Sequence, residues 1–352
     1  MTLPPYMTAV LRGVLVSLLL AITTTMTTSA KEADPYLWLE QIQGDKALDW
    51  VRKQNAATQQ KLGKHPLYAS IYNDALDALT RKDKLPEITQ RGDWIYYLSK
   101  STKHPRGVLQ RSPLADFKQG SPDWQTVLDV DALSAKEQQN WVLQEMVCYA
   151  PKNKRCLISL SPGGTDASEL REFDLESMQF VKDGFQLPTA KMNASWVDAD
   201  QIIVATDFGA DSMTESGYPR TAKLWQRGTP LESAKPLFTT AADSVSVVVQ
   251  YFKDTSNPIM LVTESLSYWS SNYYLHEDDK VVPLNIPDSA AIDGVIDGQL
   301  VVSLKQDWAH AGQAYQLGTV LLVPPQAVRS DASDSKPGIT VLMEPDDSTV
   351  ID

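Results

Sequence analysis

The sequence contains little of the chemistry on which most hydrolases and metalloproteins depend. None of its 17 glycines is followed two positions later by serine, so the G-x-S-x-G turn that carries the nucleophile of an α/β-hydrolase is absent. The histidines are few and isolated, which is typical of solvated or structural positions. They are His65, His104, His276 and His310. The sequence therefore predicts no catalytic residue, no metal ligand and no cofactor-binding residue.

Positive charge is also scarce. The chain has 32 Lys and Arg residues against 44 Asp and Glu residues, which gives a net charge of -12 at pH 7, and it contains no dense basic run. Such a surface repels phosphate backbones, so nucleic acid is not expected as a partner. Asp198 with Asp200, and Asp207 with Asp211, leave open a glycosidase with paired carboxylates. The distance between two carboxylates cannot be read from sequence spacing.

One hydrophobic run stands at the N-terminus. Arg12 precedes "GVLVSLLLAI", and "TTSA", which ends at Ala30, offers small residues at the cleavage positions of an export signal. The run is short for a bilayer span and no cysteine follows it, so neither a stable membrane anchor nor lipid attachment is expected. Residues 1–30 are predicted to be a signal peptide, with a buried N-terminal strand or helix as the alternative. The mature protein is expected to be periplasmic or secreted.

The two cysteines, Cys148 and Cys156, stand eight positions apart around "YAPKNKR", which has the composition of a hairpin loop. This spacing places them nearly opposite each other on two strands, and an oxidising compartment permits a disulfide. Cross-strand geometry is often poor for disulfides, so two small buried thiols are an equal alternative. The sequence leaves both open.

Two helices are predicted in the first part of the mature chain. Asp45 is suited to cap a helix through "KALDWVRKQNAATQQKL", which Gly63 and Pro66 would end. Apolar residues then recur at helical spacing until "KDKLPE" interrupts the pattern. These residues are Leu67, Ile71, Ala75, Leu76 and Leu79. The predicted helical arm needs an apolar partner.

From Trp94 onward the chain consists of short β-rich runs separated by turns. The runs group into units of 46 to 53 residues that start near Trp94, Trp141, Lys191, Ser244 and Ala290. This period predicts a mainly β protein, a β-propeller of four-stranded blades, with a β-sandwich as the alternative. One more strand, "ITVLMEP", follows the fifth unit, so residues 91–352 are expected to form an incomplete propeller of about five blades and a partial one. The nine tryptophans, Trp196 among them, are expected to pack within blades.

"DPYLWLE" followed by "ALDWVRKQNAAT" resembles the N-terminal signature of the prolyl oligopeptidase family of serine peptidases. The positions that match are Asp34, Pro35, Tyr36, Trp38, Leu39, Glu40, Trp50, Val51, Gln54 and Asn55. "RCLISLSPGGTDASELREFDLES" and "LKQDWAHAGQAYQLGTVLL" also look like propeller segments of bacterial members. The resemblance covers about residues 34 to 345.

In that family a seven-bladed propeller caps an α/β-hydrolase domain, whose Ser, Asp and His follow the propeller in the chain. The resemblance implies that residues 31–90 are the helical arm and that the catalytic domain is absent from this sequence, which would be inactive alone. The complete protein would hydrolyse oligopeptides without a cofactor. Tyr36, Trp38 and Trp50 would pack on the hydrolase domain. The alternative is a stand-alone periplasmic propeller that binds peptides or a protein partner without catalysis.

Overall fold

The computed structural model describes residues 34–41, 43–81, 86–253, 257–331 and 338–346. The predicted signal peptide, residues 1–30, lies outside these ranges. The chain divides into two compact units, one that extends to residue 84 and one that begins at residue 85. Among the described residues, no helix combines the length and the hydrophobicity needed to cross a bilayer.

The first unit is helical. A short 3-10 helix, Leu37–Glu40, precedes helix α1, Asp45–Leu62, and helix α2, Tyr68–Leu79. The residue at the N-cap of α1 is Gly44, so Asp45 begins the helix instead of capping it as the sequence predicted. A carboxylate in the first helical turn is favourable because it lies at the positive end of the helix dipole.

The apolar face that the sequence predicts in this unit is present and exposed. Helix α1 buries Ala47, and helix α2 buries none of its residues. The large apolar side chains that remain exposed in and next to α2 are Leu67, Tyr68, Ile71, Tyr72, Leu76 and Leu79. Exposed apolar area of this extent is typical of a surface that contacts another protein surface.

The described residues of the second unit form five antiparallel sheets of four or five strands, in chain order, and one separate two-stranded hairpin. The first sheet contains β1 (Ile88–Arg91), β2 (Trp94–Ser99), β3 (Val108–Pro113) and β4 (Gln125–Asp129), and the second contains β5 (Trp141–Cys148), β6 (Arg155–Pro162), β7 (Ser168–Asp174), β8 (Gln179–Phe180) and β9 (Gln186–Ala190). The third contains β10 (Asn193–Trp196), β11 (Gln201–Ala205), β12 (Thr221–Gln226) and β13 (Lys235–Thr239). The fourth contains β14 (Ser246–Phe252), β15 (Ile259–Ser265), β16 (Ser271–Glu277) and β17 (Lys280–Pro283).

The two-stranded hairpin is inserted in the chain between two strands of the fifth sheet. The four strands of that sheet are β18 (Ala291–Ile296), β19 (Gln299–Ser303), β22 (Val320–Val323) and β23 (Thr340–Met343), and the hairpin between β19 and β22 is β20 (Trp308–His310) with β21 (Gln313–Tyr315). Short helices interrupt three connections of the propeller unit: α3 (Leu114–Lys118), α4 (Val130–Glu137) and α5 (Pro325–Val328). A 3-10 turn, Leu231–Ser233, precedes β13.

This arrangement confirms the predicted mainly β propeller with four-stranded blades and a helical arm before it. In the second sheet, β8 and β9 both pair with β7, so together they occupy the fourth position. The strand predicted to start a partial sixth blade is β23, which pairs with β22 as the fourth strand of the fifth sheet.

Hydrophobic clusters pack each sheet against the next one in the chain. The first and second sheets share a cluster that contains Leu109 and Ile158, and Leu157 packs with Ile202 between the second and third. The two remaining clusters lie between the third and fourth sheets and between the fourth and fifth. In the part of the chain that the structure describes, no cluster joins the first sheet to the fifth.

Candidate functional site at the ends of the first strands

A cavity of about 240 Å³ lies where the first strands of four consecutive sheets end. Strands β5, β10, β14 and β18 each contribute residues at or next to their C-terminal ends. The side chains most relevant to a ligand are Tyr149, Ser195, Trp196, Tyr251, Phe252 and Lys253. A concave site lined by aromatic rings with a few polar groups is typical of a binding site for a small molecule or a peptide segment.

Hydrogen bonds between sheets fix the walls of this cavity. Trp196, which is 6% exposed, donates its Nε1–H to the carbonyl oxygen of Val147 at 2.9 Å and so joins the third sheet to the second. The backbone N–H of Tyr251 donates to Ser195 Oγ at 3.2 Å and joins the fourth sheet to the third. The rings of Tyr149 and Trp196 are in contact, with 5.6 Å between their centroids. The aromatic wall is therefore held in place from several sheets.

Lys253 is the one charged side chain among the described residues that line the cavity. Its ammonium group donates to the hydroxyl oxygen of Tyr149 at 3.1 Å and lies 5.3 Å from the centre of that ring. The hydrogen bond to Tyr149 raises the pKa of Lys253 above its ordinary value, and the nearby charge of Asp198 acts in the same direction. Lys253 therefore carries a positive charge at neutral pH.

A disulfide lies beside the cavity. Strands β5 and β6 place Cys148 opposite Cys156, and the structure joins their sulfur atoms at 2.01 Å. The sequence left a disulfide and two buried thiols open. Because Tyr149 follows Cys148 directly, the disulfide ties down the hairpin that carries one wall of the cavity.

The aromatic residues that the resemblance assigns to a hydrolase contact lie at the start of the helical arm. Trp38 and Trp50 meet edge to face with 6.4 Å between ring centroids, and the Lys46 ammonium lies 4.2 Å from the centre of Trp38. Tyr36 is 59% exposed and Trp50 is 40% exposed. Their contact with a hydrolase domain stays a prediction.

His104, Asp129 and Asp131 form a group whose potential ligand atoms lie within 4.8 Å of one another. Asp131 accepts the backbone N–H of Gly107 at 3.0 Å, and Asp129 accepts the backbone N–H of Ala132 at 2.9 Å. The Asp131 bond ties the loop after β2 to the first turn of α4, and the Asp129 bond caps that helix. The two carboxylates therefore have structural roles, one in holding a loop against a helix and the other in capping that helix.

The acidic pairs considered for glycosidase chemistry are engaged in their own turns. Asp198 Oδ1 accepts the backbone N–H of Asp200 at 2.7 Å, and Asp207 Oδ1 accepts the backbone N–H of Gly209 at 2.8 Å. Asp200 also pairs with Arg227 at 3.1 Å. Side chains of this kind stabilise turns by accepting backbone hydrogen bonds two residues on. The structure gives these pairs a local role.

The sequence model of a known family, described as the prolyl oligopeptidase N-terminal beta-propeller domain, matches residues 22–303. The chain belongs to the prolyl oligopeptidase family. The matched range reaches from before the helical arm to the second strand of the fifth sheet. The membership agrees with the motif that begins at Asp34.

Two curated relatives of this prolyl oligopeptidase propeller are peptidases without a characterised function. The uncharacterized peptidase y4nA of Sinorhizobium fredii is 33% identical over 341 residues, which cover 94% of this chain and 47% of that protein. The uncharacterized peptidase RP174 of Rickettsia prowazekii is 25% identical over 327 residues, which cover 89% of this chain and 45% of that protein. The chain therefore spans about half the length of the curated relatives it matches.

A solved structure described as a post-proline cleaving enzyme from Rickettsia typhi has the same fold. Its TM-score is 0.77 at 24% identity, over 88% of this chain and 47% of that chain. At this level of identity the likeness supports the propeller architecture. It does not transfer the activity of that enzyme to this chain.

Sequence reasoning missed most of the cavity. Trp196 was assigned to blade packing, which it performs while also lining the cavity, and Lys253 and Tyr149 were not singled out. One signal was available: β10 ends in Trp196 and β14 ends in Phe252. An aromatic residue at the end of successive first strands indicates a shared aromatic surface once those strands are known to be neighbours.

Proposed function

We propose that this propeller serves a serine peptidase of the prolyl oligopeptidase family that acts on short peptides, and that its cavity binds those peptides. The observation that carries the proposal is the aromatic cavity at the ends of the first strands. Family membership and the two relatives described as peptidases support it. A hydrolase domain outside this sequence would supply the serine, aspartate and histidine.

The physical character of the cavity suits a flexible peptide. A volume of about 240 Å³ is below the usual range for a site that encloses a drug-sized molecule, so it accommodates one or two residues of a peptide. The rings of Trp196, Tyr251 and Phe252 offer apolar area to proline and aliphatic side chains.

The exposed side of the helical arm would receive the hydrolase domain. Tyr36 and Trp50 are exposed aromatic residues, and the apolar side chains of α2 lie open on the same unit of the chain. Aromatic side chains are enriched at protein interfaces because they bury large areas at low entropic cost. The proposed place of action is the periplasm or the extracellular space, supported by the export-signal pattern and by the disulfide between Cys148 and Cys156.

Peptide binding can be measured on the purified chain. Titration with the peptide acetyl-Ala-Ala-Pro-Phe should change tryptophan fluorescence in a saturable way, because Trp196 lines the cavity. Tyr251→Ala removes one aromatic wall and should weaken binding about fivefold or more, since a buried aromatic contact contributes about 1 kcal/mol. Trp269→Ala is the matched control, because Trp269 is 80% exposed on the turn after β15. A flat titration with the wild-type chain would contradict the proposal.

Peptidase activity is tested with the longer protein. The product of a reading frame that continues into a hydrolase domain should cleave a chromogenic peptide after proline, and a serine-directed inhibitor should abolish the turnover. The 352-residue chain should show no inhibitor-sensitive turnover, because it has no G-x-S-x-G turn. Inhibitor-sensitive cleavage by this chain alone would contradict the assignment of catalysis to a separate domain.

A stand-alone binding propeller is the second candidate, and the continuous packing of the sheets favours it. Hydrophobic clusters link all five sheets in sequence, which is what independent folding of the propeller requires. A thermal melt followed by light scattering separates the candidates. A sharp, reversible transition without scattering favours the stand-alone module, whereas aggregation favours a chain whose exposed arm needs a partner domain.

A further inference from the structure

We propose that the cavity binds the carboxylate at the C-terminus of a peptide, with the Lys253 ammonium as its counter-ion. This inference rests on the proposed function, because it states which end of the peptide the cavity receives. The charge of the lining decides the direction: Lys253 is cationic, and no carboxylate stands among the described lining residues. A peptide amino terminus would meet a like charge there.

The charge of the cavity is opposite to that of the chain. The whole sequence carries a net charge of -12, so its surface repels a peptide carboxylate in general. A lysine in a mostly apolar lining is a local exception to that repulsion. Among the described residues, Asp198 is the acidic residue whose charge acts on Lys253, and it lies in the turn after β10 instead of in the lining.

The lining also offers unused hydrogen-bond donors. The Lys253 ammonium has three protons, and its hydrogen bond to Tyr149 uses one. The Tyr149 hydroxyl accepts that bond and retains its own proton, and Ser195 Oγ accepts the Tyr251 N–H and retains its own proton. An ionised carboxylate is acceptor-only and takes several donors, so its chemistry complements these three groups.

The aromatic residues fit the rest of the terminal residue. Trp196, Tyr251 and Phe252 line the same cavity as Lys253, so a side chain next to the bound carboxylate meets apolar rings. The volume of about 240 Å³ is sufficient for a terminal residue with its carboxylate. The positive charge therefore selects the carboxylate end of a peptide, and the cavity has room for its terminal residue.

An acidic side chain carries the same functional group as a C-terminus, and the experiment separates the two sources. Three peptides are titrated into the purified chain: acetyl-Ala-Ala-Pro-Phe with a free carboxylate, the same peptide as its amide, and acetyl-Ala-Asp-Pro-Phe as its amide. Binding is followed by isothermal titration calorimetry. The free acid should bind about two- to fivefold more tightly than the first amide, as expected for a charged pair with an exposed lysine.

Variants assign this preference to the lysine. Lys253→Met should bring the free acid and the amide to the same affinity, and Lys253→Arg should keep the preference because it retains the charge. Lys235→Met is the control, since it removes an equal charge from an exposed lysine that pairs with Asp279 on the outer strand β13. Circular dichroism and a thermal melt test whether each variant is folded. If Lys253→Met does not fold, the affinities of Lys253→Arg for the free acid and the amide are compared instead.

Three other results of the titrations would contradict the inference, the proposed function, or both. Equal binding of the free acid and the amide by the wild-type chain would overturn the carboxylate inference and leave the proposed function standing. Binding of the aspartate peptide as tightly as the free acid would show that the site does not distinguish the chain end. Absence of binding by all three peptides would overturn the proposed function of the cavity, and with it this inference.

Discussion

Glu172 places a carboxylate in the propeller core, where its side chain is fully buried. The Arg227 guanidinium donates to both carboxylate oxygens, at 2.7 and 3.1 Å, and the backbone N–H of Phe185 adds a third hydrogen bond at 2.9 Å. Arg155 contributes a longer contact of 3.4 Å and is 43% exposed. Because Arg227 follows β12, this two-pronged pair connects the second and third sheets.

Removal of one partner should therefore be costly. Arg227→Met leaves the Glu172 charge buried beside a weaker partner, and we expect it to lower the free energy of unfolding by about 3 kcal/mol. Arg155→Met should cost less, about 1 kcal/mol, because Arg155 is partly exposed, its contact with Glu172 is long, and its 2.9 Å ion pair with Asp174 is partly solvated. Urea unfolding of the two variants checks the prediction, and equal losses would contradict the assigned difference between them.

Glu264 is a second buried carboxylate, and it lies between the third and fourth sheets as Glu172 lies between the second and third. Burial alone would raise its pKa, but hydrogen bonds from Thr240, Tyr274 and Asn272 outweigh that effect and hold the pKa below its ordinary value of 4.5. On the other side of the bond, burial and the Glu264 carboxylate raise the pKa of Tyr274 to about 12. The pair is therefore stable as a carboxylate and a neutral phenol over a wide pH range.

This environment predicts a pH dependence of stability. The pKa of Glu264 is lower in the folded chain, so its ionised form stabilises the fold at neutral pH, and this contribution is lost as the pH falls below about 4.5. Glu264→Gln should be less stable than the wild type by about 1–3 kcal/mol at pH 7, and the difference should shrink between pH 5 and pH 3. Denaturant unfolding measures it, with exposed Glu215→Gln as the control. A difference that stays constant with pH would count against this role of the carboxylate.

At the scale of elements, the disulfide closes the hairpin of β5 and β6. Cys148 and Cys156 are eight positions apart, so their bond restricts a short loop of the unfolded chain. Loop-closure entropy for that length corresponds to about 2–3 kcal/mol. Reduction of the wild type, or replacement of both cysteines by alanine, should lower the unfolding free energy by that amount. The double-alanine variant should not respond to reductant, and a loss much below 1 kcal/mol on reduction would show that the bond constrains little.

The second strands of the sheets differ in how their faces are covered. In β11, Ile202, Ile203, Val204 and Ala205 are all fully buried, because the third sheet packs on neighbours at both faces. In β19, buried Leu300 and Val302 alternate with half-buried residues, because the fifth sheet packs on the fourth at one face. A strand that is buried on both faces has a continuous apolar sequence, whereas a strand that is buried on one face alternates apolar and polar residues.

This difference should appear in hydrogen exchange. Amides in β11 should exchange more slowly than those in β19, since the opening of a strand packed on both faces disrupts two hydrophobic interfaces. Mass spectrometry of peptides that cover the two strands gives the comparison within one sample. Equal protection of β11 and β19 would show that the fifth sheet is stabilised by more than its contact with the fourth.

Elements with a strong hydrophobic pattern could be predicted from the sequence, and elements with a weak pattern could not. The starts of the second to fifth sheets, from Trp141 to Ala291, lie within two residues of their predicted positions, because apolar strands and turns alternate clearly there. The first sheet starts at Ile88 and not at Trp94, since β1 is a short polar strand with three exposed residues. Such an edge strand is specified by its pairing with β2, which the sequence does not display.

At the scale of the whole molecule, the periodicity predicted the propeller but not the cavity. A repeat of about 50 residues reports that similar units recur, and it carries no information about which strand ends meet. Tyr149, Trp196 and Lys253 are separated by tens of residues and come together because each lies at the end of a first strand. Apart from the two aromatic rings, these three residues share no sequence pattern that would link them.

The sequential packing of the sheets also has a mechanical consequence. Among the described residues, the three inner sheets are attached through hydrophobic clusters to the sheets before and after them, and the first and fifth sheets to one neighbour each. A pulling force along the chain therefore meets these attachments one at a time. A released sheet of about 50 residues would extend by about 170 Å at the usual length per residue. Under tension the propeller would lengthen in separate steps of similar size, instead of failing as a single unit.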